Sequence, residues 1–137
     1  MDKKVRVITK EVGEKAKICE FEDSYQAIRT FLKGPIEYHD HPKFPVQFIV
    51  CRTAQAWDDI ATVYVDDSQQ VLGGNFIVAK HDEEGGIISF DEKEAEEILQ
   101  DIQSRELNDP MRTISEAISD LRQIKKYSRG LAKGMEM

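Results

Sequence analysis

The chain is poor in the features that most often reveal a protein's chemistry. It has only two cysteines among 137 residues, Cys19 and Cys51, and their spacing is neither that of a metal site nor that of a redox pair. Such sparse cysteine use is typical of a reducing compartment. No apolar run approaches the roughly 18 residues that a membrane-spanning helix needs. The first residues also lack the apolar segment of a secretory signal, so we expect a cytoplasmic protein with no membrane contact.

Positive charge is scarce as well. The chain has 19 Lys and Arg residues against 26 Asp and Glu residues, which gives a formal net charge of −7. This balance argues against general binding to the phosphate backbone of nucleic acids. A hydrophobic content of 40 % is sufficient for a packed core. We expect a single domain over residues 1–137, with a sheet-rich part at 1–90 and a helical part at 91–134.

The first part of the chain has the apolar pattern of short strands. Apolar residues alternate with polar ones in Lys4–Thr9, and Pro45–Cys51 is apolar on both faces, which indicates a central strand. Further strands are predicted at Ala16–Phe21, Ile36–Tyr38, Ile60–Val65, Asn75–Lys80 and Ile87–Phe90.

One early helix interrupts these strands. Asp23 or Ser24 can cap its first turn. Gly34-Pro35 is expected to end it, with Gly34 as the left-handed residue and Pro35 unable to continue the helix.

Two helices are predicted near the C-terminus. Asp91 and Glu94 have the spacing of a capping box, and Asp109 followed by Pro110 is a favourable start for a second helix. The predicted fold class is α+β: a mostly antiparallel sheet of five to seven short strands, one early helix and a C-terminal helical pair.

The charges are unevenly distributed along the chain. Residues 82–101 contain nine acidic residues and one lysine, a local net charge of −8. Six of the acidic residues are candidates for a partner-binding surface: Asp82, Glu83, Glu84, Glu92, Glu96 and Glu97. Residues 121–133 contain five basic residues and no acidic one, at helical spacings of three and four: Arg122, Lys125, Lys126, Arg129 and Lys133. This basic face could bind an anion, pair with the acidic segment, or be an ordinary solvated face near a helix end.

The last predicted helix also has a long apolar stripe. Its members are Ile114, Ala117, Ile118, Leu121, Ile124 and Leu131. The ordinary interpretation is packing against the sheet of the same chain. The alternative is an interface between two copies, since two-fold dimers are the commonest oligomers.

His39-Asp40-His41 is the most metal-like cluster in the sequence. Two imidazoles and a carboxylate could bind zinc, with His81-Asp82 as a distant supplement. Such a site would suit a metal-dependent hydrolase. The competing interpretation is a polar loop, because Pro42 follows at once and the set of ligands is incomplete.

Other polar positions have sufficient structural explanations. Cys51 beside Arg52 could be a reactive thiol, but a cysteine at the end of an apolar strand usually behaves as a small hydrophobe. Turn formation accounts for the aspartate pairs at 58–59 and 66–67, although carboxylates at strand ends can also hold metals. Gly73-Gly74 matches no phosphate-binding motif and indicates a backbone bend or a close backbone approach.

Trp57 is the only tryptophan. With Tyr64 it could stack on a planar ligand such as a base, and the basic residues 122–129 could hold its phosphate. Packing in the core or at its rim is the more ordinary role of a tryptophan.

Two stretches carry a family resemblance. One runs from Ile18 to Ile28 and leads to Gly34-Pro35-Ile36-Glu37, and the other runs from Val71 to Val78 and leads to Ile88–Glu92. In the order and type of their elements they resemble small α+β domains of phages and mobile elements, over about Ile18–Leu99. The resemblance implies a phage-type protein that acts by binding a host protein or a host signalling nucleotide.

The sequence alone therefore leads to a ranked set of hypotheses. The first is a non-enzymatic, homo-oligomeric binding protein that needs no cofactor and blocks a host protein, such as a defence or nucleic-acid-binding protein, through its acidic residues. The second is a sponge that sequesters a phosphorylated nucleotide signal of a host defence system at an oligomer interface. The third is the metal-dependent hydrolase.

Overall fold

A computed structural model describes residues 3–65 and 70–122. Within these residues the chain forms an α+β fold, as predicted, with an antiparallel six-stranded sheet, a separate two-stranded sheet and helices on both faces of the larger sheet. No helix of the described residues has both the length and the apolar character for crossing a membrane.

The larger sheet consists of β1 (Lys4–Lys10), β2 (Lys17–Glu22), β3 (Ile36–Asp40), β4 (Gln47–Cys51), β7 (Phe76–His81) and β8 (Ile87–Ile88). The strand order is β2-β1-β7-β4-β3, and β8 pairs with β7. The two outer strands in this order are therefore β2 and β3, and every pair of neighbours is antiparallel. The smaller sheet pairs β5 (Ala61–Tyr64) with β6 (Val71–Gly73).

Helix α1 (Tyr25–Leu32) covers one face of the larger sheet. Ser24 caps it by accepting a hydrogen bond from the Ala27 backbone N–H, and Ile28 and Leu32 pack on the sheet. The left-handed residue at its end is Lys33, not the predicted Gly34. A glycine is needed at position 34 for a different reason, because a Cβ there would lie 2.7 Å from the Cys51 Sγ.

Helix α2 (Glu92–Arg105) covers the opposite face together with the smaller sheet. Ala95, Ile98 and Ile102 are buried against apolar residues of β1, β4 and β7. The predicted capping box is confirmed: Asp91 accepts from the Glu94 backbone, and the Glu94 side chain accepts from the Asp91 backbone.

Residues 114–122 are helical and are called α3 here. The prediction that Asp109 caps this helix is wrong. Residues 112 and 113 instead run beside β5, where Ala61 N–H donates to the Arg112 carbonyl at 2.8 Å, and Thr113 becomes the capping residue. Ile114 and Ala117 pack on Ala61 and Val71, so the described part of the apolar stripe contacts its own chain. The stripe residues Ile124 and Leu131 lie outside the described residues.

Candidate functional site

The turn between β7 and β8 presents two glutamates to solvent. Asp82 holds the turn, because its Oδ1 accepts hydrogen bonds from the backbone N–H groups of Glu84 and Gly86 at 2.9 and 2.8 Å. Gly85 takes a positive φ of 87°, a conformation that favours glycine. The turn is therefore well defined, and Glu83 and Glu84 are exposed at its tip.

An ion pair connects the β7–β8 hairpin with the start of α2. Lys80 Nζ lies 2.6 Å from Glu94 Oε1, and the lysine also lies over the Phe90 ring. The same glutamate completes the capping box of α2. The acidic hairpin turn, which begins two residues after Lys80, is thereby held near the acidic first turns of the helix.

The six acidic residues that the sequence indicated are all exposed, and they are called the acidic surface below. Two other acidic residues of the same segment, Glu94 and Asp101, do form ion pairs. None of the five glutamates of the acidic surface has a cation within salt-bridge distance among the described residues. Their negative charge is therefore not neutralised by the part of the chain that the structure describes.

The basic face predicted for the last helix is only partly described. Arg122 is exposed on α3, whereas Lys125, Lys126 and Arg129 lie outside the described residues. Anion binding by this face and its pairing with the acidic segment therefore both stay predictions.

Trp57 is 66 % exposed, so the expectation that its ring is packed in or at the rim of the core was wrong. Its backbone carbonyl accepts from the Ser115 N–H at 3.0 Å, which places it beside the first turn of α3. Tyr64 on β5 is half-buried. The exposed Trp57 ring leaves the nucleotide-sponge hypothesis with an aromatic surface on which a base could stack. Phosphate binding by the basic residues stays a prediction.

The predicted polar loop at residues 39–41 is wrong for its first two residues. Both belong to β3, because that strand pairs with β4 as far as the contact between Asp40 and Gln47. His39 has both ring nitrogens occupied: Nε2 lies 2.9 Å from Glu37 Oε2, and Nδ1 lies 3.1 Å from Gln70 Nε2.

Both ring nitrogens of His41 also make hydrogen bonds. Its Nε2 lies 2.6 Å from Asp101 Oδ2, and its Nδ1 accepts from the backbone N–H groups of Lys43 and Phe44, each at 3.0 Å. No group of three His, Cys, Asp or Glu side chains in the described segments has a geometry that could hold a metal ion. Because the ring nitrogens of His39 and His41 already make hydrogen bonds, the structure gives no support to the hypothesis of a metal-dependent hydrolase.

His41 is instead the centre of a buried network that joins the β3–β4 loop to α2. Its side chain is 0 % exposed and stacks on the Phe48 ring. Burial lowers the pKa of His41 below its ordinary value of 6.5, although the hydrogen bond to Asp101 opposes this shift. Burial alone would raise the pKa of Asp101, but hydrogen bonds from Arg105 and His41 outweigh it and lower that pKa below 3.8. This His41 network therefore has a structural role: it holds the β3–β4 loop against α2.

A cleft of about 450 Å³ lies beside the His41 network, at the end of the larger sheet. Asp40, Gln47 and His81 supply polar groups, and the loop residues Phe44, Pro45 and Val46 supply an apolar wall. His81 Nδ1 is the only buried side-chain nitrogen or oxygen without a hydrogen-bond partner among the described residues. Such a group costs about 1–3 kcal/mol when it stays unpaired. No local pattern in the sequence indicates this cleft, and His81 is a candidate there only as a distant metal ligand.

The cleft and the acidic surface are neighbours. The same loop residues, Phe44 to Val46, also line a second groove of about 290 Å³, whose other side is the first turns of α2, including Glu94 and Glu97. On its far side the cleft reaches His81, which directly precedes Asp82 of the acidic turn. One loop therefore separates two concave, partly acidic surfaces.

The remaining candidates have structural roles. Cys51 is buried, and its Sγ lies 3.2 Å from the Thr53 hydroxyl. Asp59 accepts from the Ala56 N–H at 2.8 Å, in the turn that the sequence indicated, whereas residues 66–67 lie outside the described segments. A Cβ at Gly73 would lie 2.6 Å from the Ala54 carbonyl oxygen, which confirms the close backbone approach.

Comparisons with protein families, with curated proteins and with solved structures found no match to this chain.

Proposed function

We propose that this chain is a non-enzymatic binding protein whose acidic surface docks on a basic surface of a partner protein. One observation supports the proposal. All six residues of the acidic surface are exposed, and its five glutamates have no cation within salt-bridge distance among the described residues. A surface with one sign of charge raises the rate of encounter with an oppositely charged partner.

The scaffold beneath the acidic surface is preorganised. Asp82 fixes the hairpin turn by two hydrogen bonds, the capping box fixes the start of α2, and the Lys80–Glu94 ion pair connects the two elements. A surface that is already ordered loses less conformational entropy on binding than a flexible acidic tail.

The resemblance to phage and mobile-element domains supplies the biological setting of this proposal. The partner would be a host protein in the host cytoplasm, and occlusion of its basic surface would block its contact with nucleic acid or another anionic ligand. A host defence protein is one such partner. No enzymatic step and no cofactor are needed for this action.

Capture from a bacterial lysate tests the proposal, with two variants of equal net charge. The test variant changes Glu83, Glu96 and Glu97 to glutamine, since none of these side chains makes a hydrogen bond or an ion pair within the described residues. The control variant changes Glu11 and Glu14 to glutamine and Asp58 to asparagine, which are exposed carboxylates outside the segment. Each variant removes three negative charges from the total of −7 and therefore carries −4.

The native chain and the control variant should retain the same basic protein, and the test variant should lose it. Retention should also fall between about 50 and 500 mM salt, because the Debye length shortens from above 10 Å to below 8 Å across this range. Equal capture by the two variants, or capture that salt does not weaken, would refute the electrostatic docking.

A further inference from the structure

We propose that strand β3 is an interface between two copies of this chain, which pair through it in antiparallel fashion and so join their larger sheets into one. The two outer strands of the larger sheet are β2 and β3, so each has one backbone edge without a neighbouring strand among the described residues. Such an edge is a template for pairing with a further strand. The inference goes beyond the proposed function, because no residue of the acidic surface takes part in it.

The hydrogen bonds between β3 and β4 show which backbone groups face the open edge. His41 N–H donates to the Val46 carbonyl at 2.9 Å, so these two residues form a hydrogen-bonded pair of the ladder. Hydrogen-bonded and non-bonded pairs alternate along an antiparallel ladder, so the odd-numbered residues of β3 bond to β4. The backbone N–H and C=O groups of the even-numbered residues therefore point away from β4: Ile36, Tyr38 and Asp40.

The other outer strand, β2, is less suited to pair with its own copy. Asp23 N–H donates to the Lys3 carbonyl at 2.7 Å, so by the same alternation the even-numbered residues of β2 face its open edge. Glu20 is the one nearest the middle of the strand. Symmetric pairing about it would set two glutamates directly opposite each other, which is destabilising.

In β3, one register is complementary to itself. Pairing about Tyr38 matches the whole strand with its copy, and Ile36 then faces the second copy's Asp40. In this register Glu37 lies opposite the second copy's His39, so a carboxylate faces an imidazole at two places. A shift to either neighbouring register places Glu37 opposite Glu37 or His39 opposite His39. Like charges directly opposite are unfavourable, so the register about Tyr38 is favoured.

The side chains that would meet are accessible. The side chains of Glu37 and His39 are 37 % and 25 % exposed and lie 2.9 Å apart within one chain. In the dimer each carboxylate would lie between two imidazoles, so that unlike groups alternate on this face. On the opposite face Tyr38, which is 51 % exposed, would meet the second copy's Tyr38. Aromatic pairs across neighbouring strands stabilise a sheet.

Sedimentation equilibrium of the native chain tests the association directly. A small interface made by one pair of strands suggests a dissociation constant on the order of 100 µM. The native chain should therefore change from monomer to dimer between about 10 µM and about 1 mM. The salt concentration should be about 0.15 M, where a Debye length of about 8 Å screens the repulsion between two copies of net charge −7.

Two single substitutions test the pairing of Glu37 with His39. His39→Glu sets carboxylates opposite each other, and Glu37→Lys removes the carboxylate that faces the imidazole, so each variant should dimerise about tenfold more weakly. An equimolar mixture of the two should form a heterodimer, because the new lysine then faces the new glutamate and the second pair is native. Glu20→Lys makes the same change of charge on β2 and should dimerise like the native chain.

A cysteine at the symmetry axis tests the register. Residues opposite each other in a hydrogen-bonded pair have Cα atoms about 5.5 Å apart, which suits a disulfide. Tyr38→Cys should therefore form a covalent dimer on oxidation, as seen by non-reducing electrophoresis. Asp40→Cys is the control, because in this register the two copies of position 40 are about 13 Å apart along the strands. Cys19 and Cys51 are present in both variants, and the native chain shows their background.

Several results would overturn the assignment. They are a native chain that stays monomeric at about 1 mM, a dimer that Glu20→Lys weakens as much as the β3 variants do, and a covalent dimer of Asp40→Cys as abundant as that of Tyr38→Cys. A monomeric chain would leave this edge to a strand of another protein. Circular dichroism checks that each variant folds, and the cysteine test decides should a charge variant not fold. Lysate capture tests the proposed function separately, because its variants leave β3 unchanged.

Discussion

At the scale of single residues, the most consequential feature is a buried lysine. Lys10 is 0 % exposed, and its Nζ lies 3.2 Å from Glu106 Oε2. It also donates to the Glu14 carbonyl and to the Asn108 side chain. The same glutamate oxygen accepts from the Ala16 N–H at 2.7 Å. This group of bonds fastens the β1–β2 loop to the segment that follows α2.

Removing only the lysine should therefore be costly. Lys10→Met leaves the Glu106 carboxylate buried without its cation, and we expect a loss of about 3–5 kcal/mol in the free energy of unfolding. The double variant Lys10→Met/Glu106→Gln removes the unpaired charge and keeps an acceptor for Ala16, so it should recover part of this loss. Urea unfolding of the three proteins measures the effect, and a double variant no more stable than the single one would contradict it.

At the scale of the elements, His41 and Asp101 make the contact between the β3–β4 loop and α2 sensitive to pH. The pKa of His41 is lowered in the folded state, so the unfolded chain binds the proton first as the pH falls. Stability should be full above the unfolded pKa of 6.5 and should decrease as the pH falls from there towards the folded pKa. Asp101 adds a second loss below pH 3.8, because its pKa is also lowered on folding.

The variant His41→Asn isolates the first of these losses. An asparagine can still accept from the backbone of the loop, but it does not titrate and does not reach Asp101 in the same way. The variant should be less stable than the native chain at pH 8, and its urea midpoint should be flat between pH 7 and pH 5, where that of the native chain falls. A native midpoint that is constant over this interval would show that burial does not control this histidine.

Elements with strong local signals could be predicted from the sequence, and elements set by tertiary pairing could not. The capping box of α2 needs only Asp91 and Glu94 in the right spacing, and it is present. The Asp109-Pro110 pair predicts a start of α3 that is too early, because pairing with β5 holds residues 112 and 113 extended. His39 was assigned to a loop for the same reason, since only its pairing with β4 shows it to be in a strand.

At the scale of the whole molecule, the order of the strands decides which candidate residues meet. β7 lies between β1 and β4, which no local pattern indicates, and this order places His81 at the end of the sheet beside the loop after β3. The cleft therefore could not be inferred from the sequence. The acidic surface could be, because its residues lie within one short segment, 82–97, and exposed glutamates need no tertiary partner.

The acidic surface should also cost stability, and this gives a last prediction. Glu92 and Glu96 are four residues apart on α2, as are Glu97 and Asp101, and like charges at this spacing destabilise a helix by about 0.2–0.5 kcal/mol per pair. The variant with glutamine at positions 83, 96 and 97 should therefore unfold at a higher temperature than the native chain at low salt. The difference should vanish near 1 M salt, where the Debye length is about 3 Å. Calorimetry at both salt concentrations measures it, with the variant at positions 11, 14 and 58 as the control of equal charge. No gain at low salt in the variant at positions 83, 96 and 97 would contradict the prediction, whatever the control does, because the control relieves a repulsion of its own between Glu11 and Glu14. A gain confined to the acidic surface, in the same variant that loses partner capture, would identify this surface as one where stability is given up for binding.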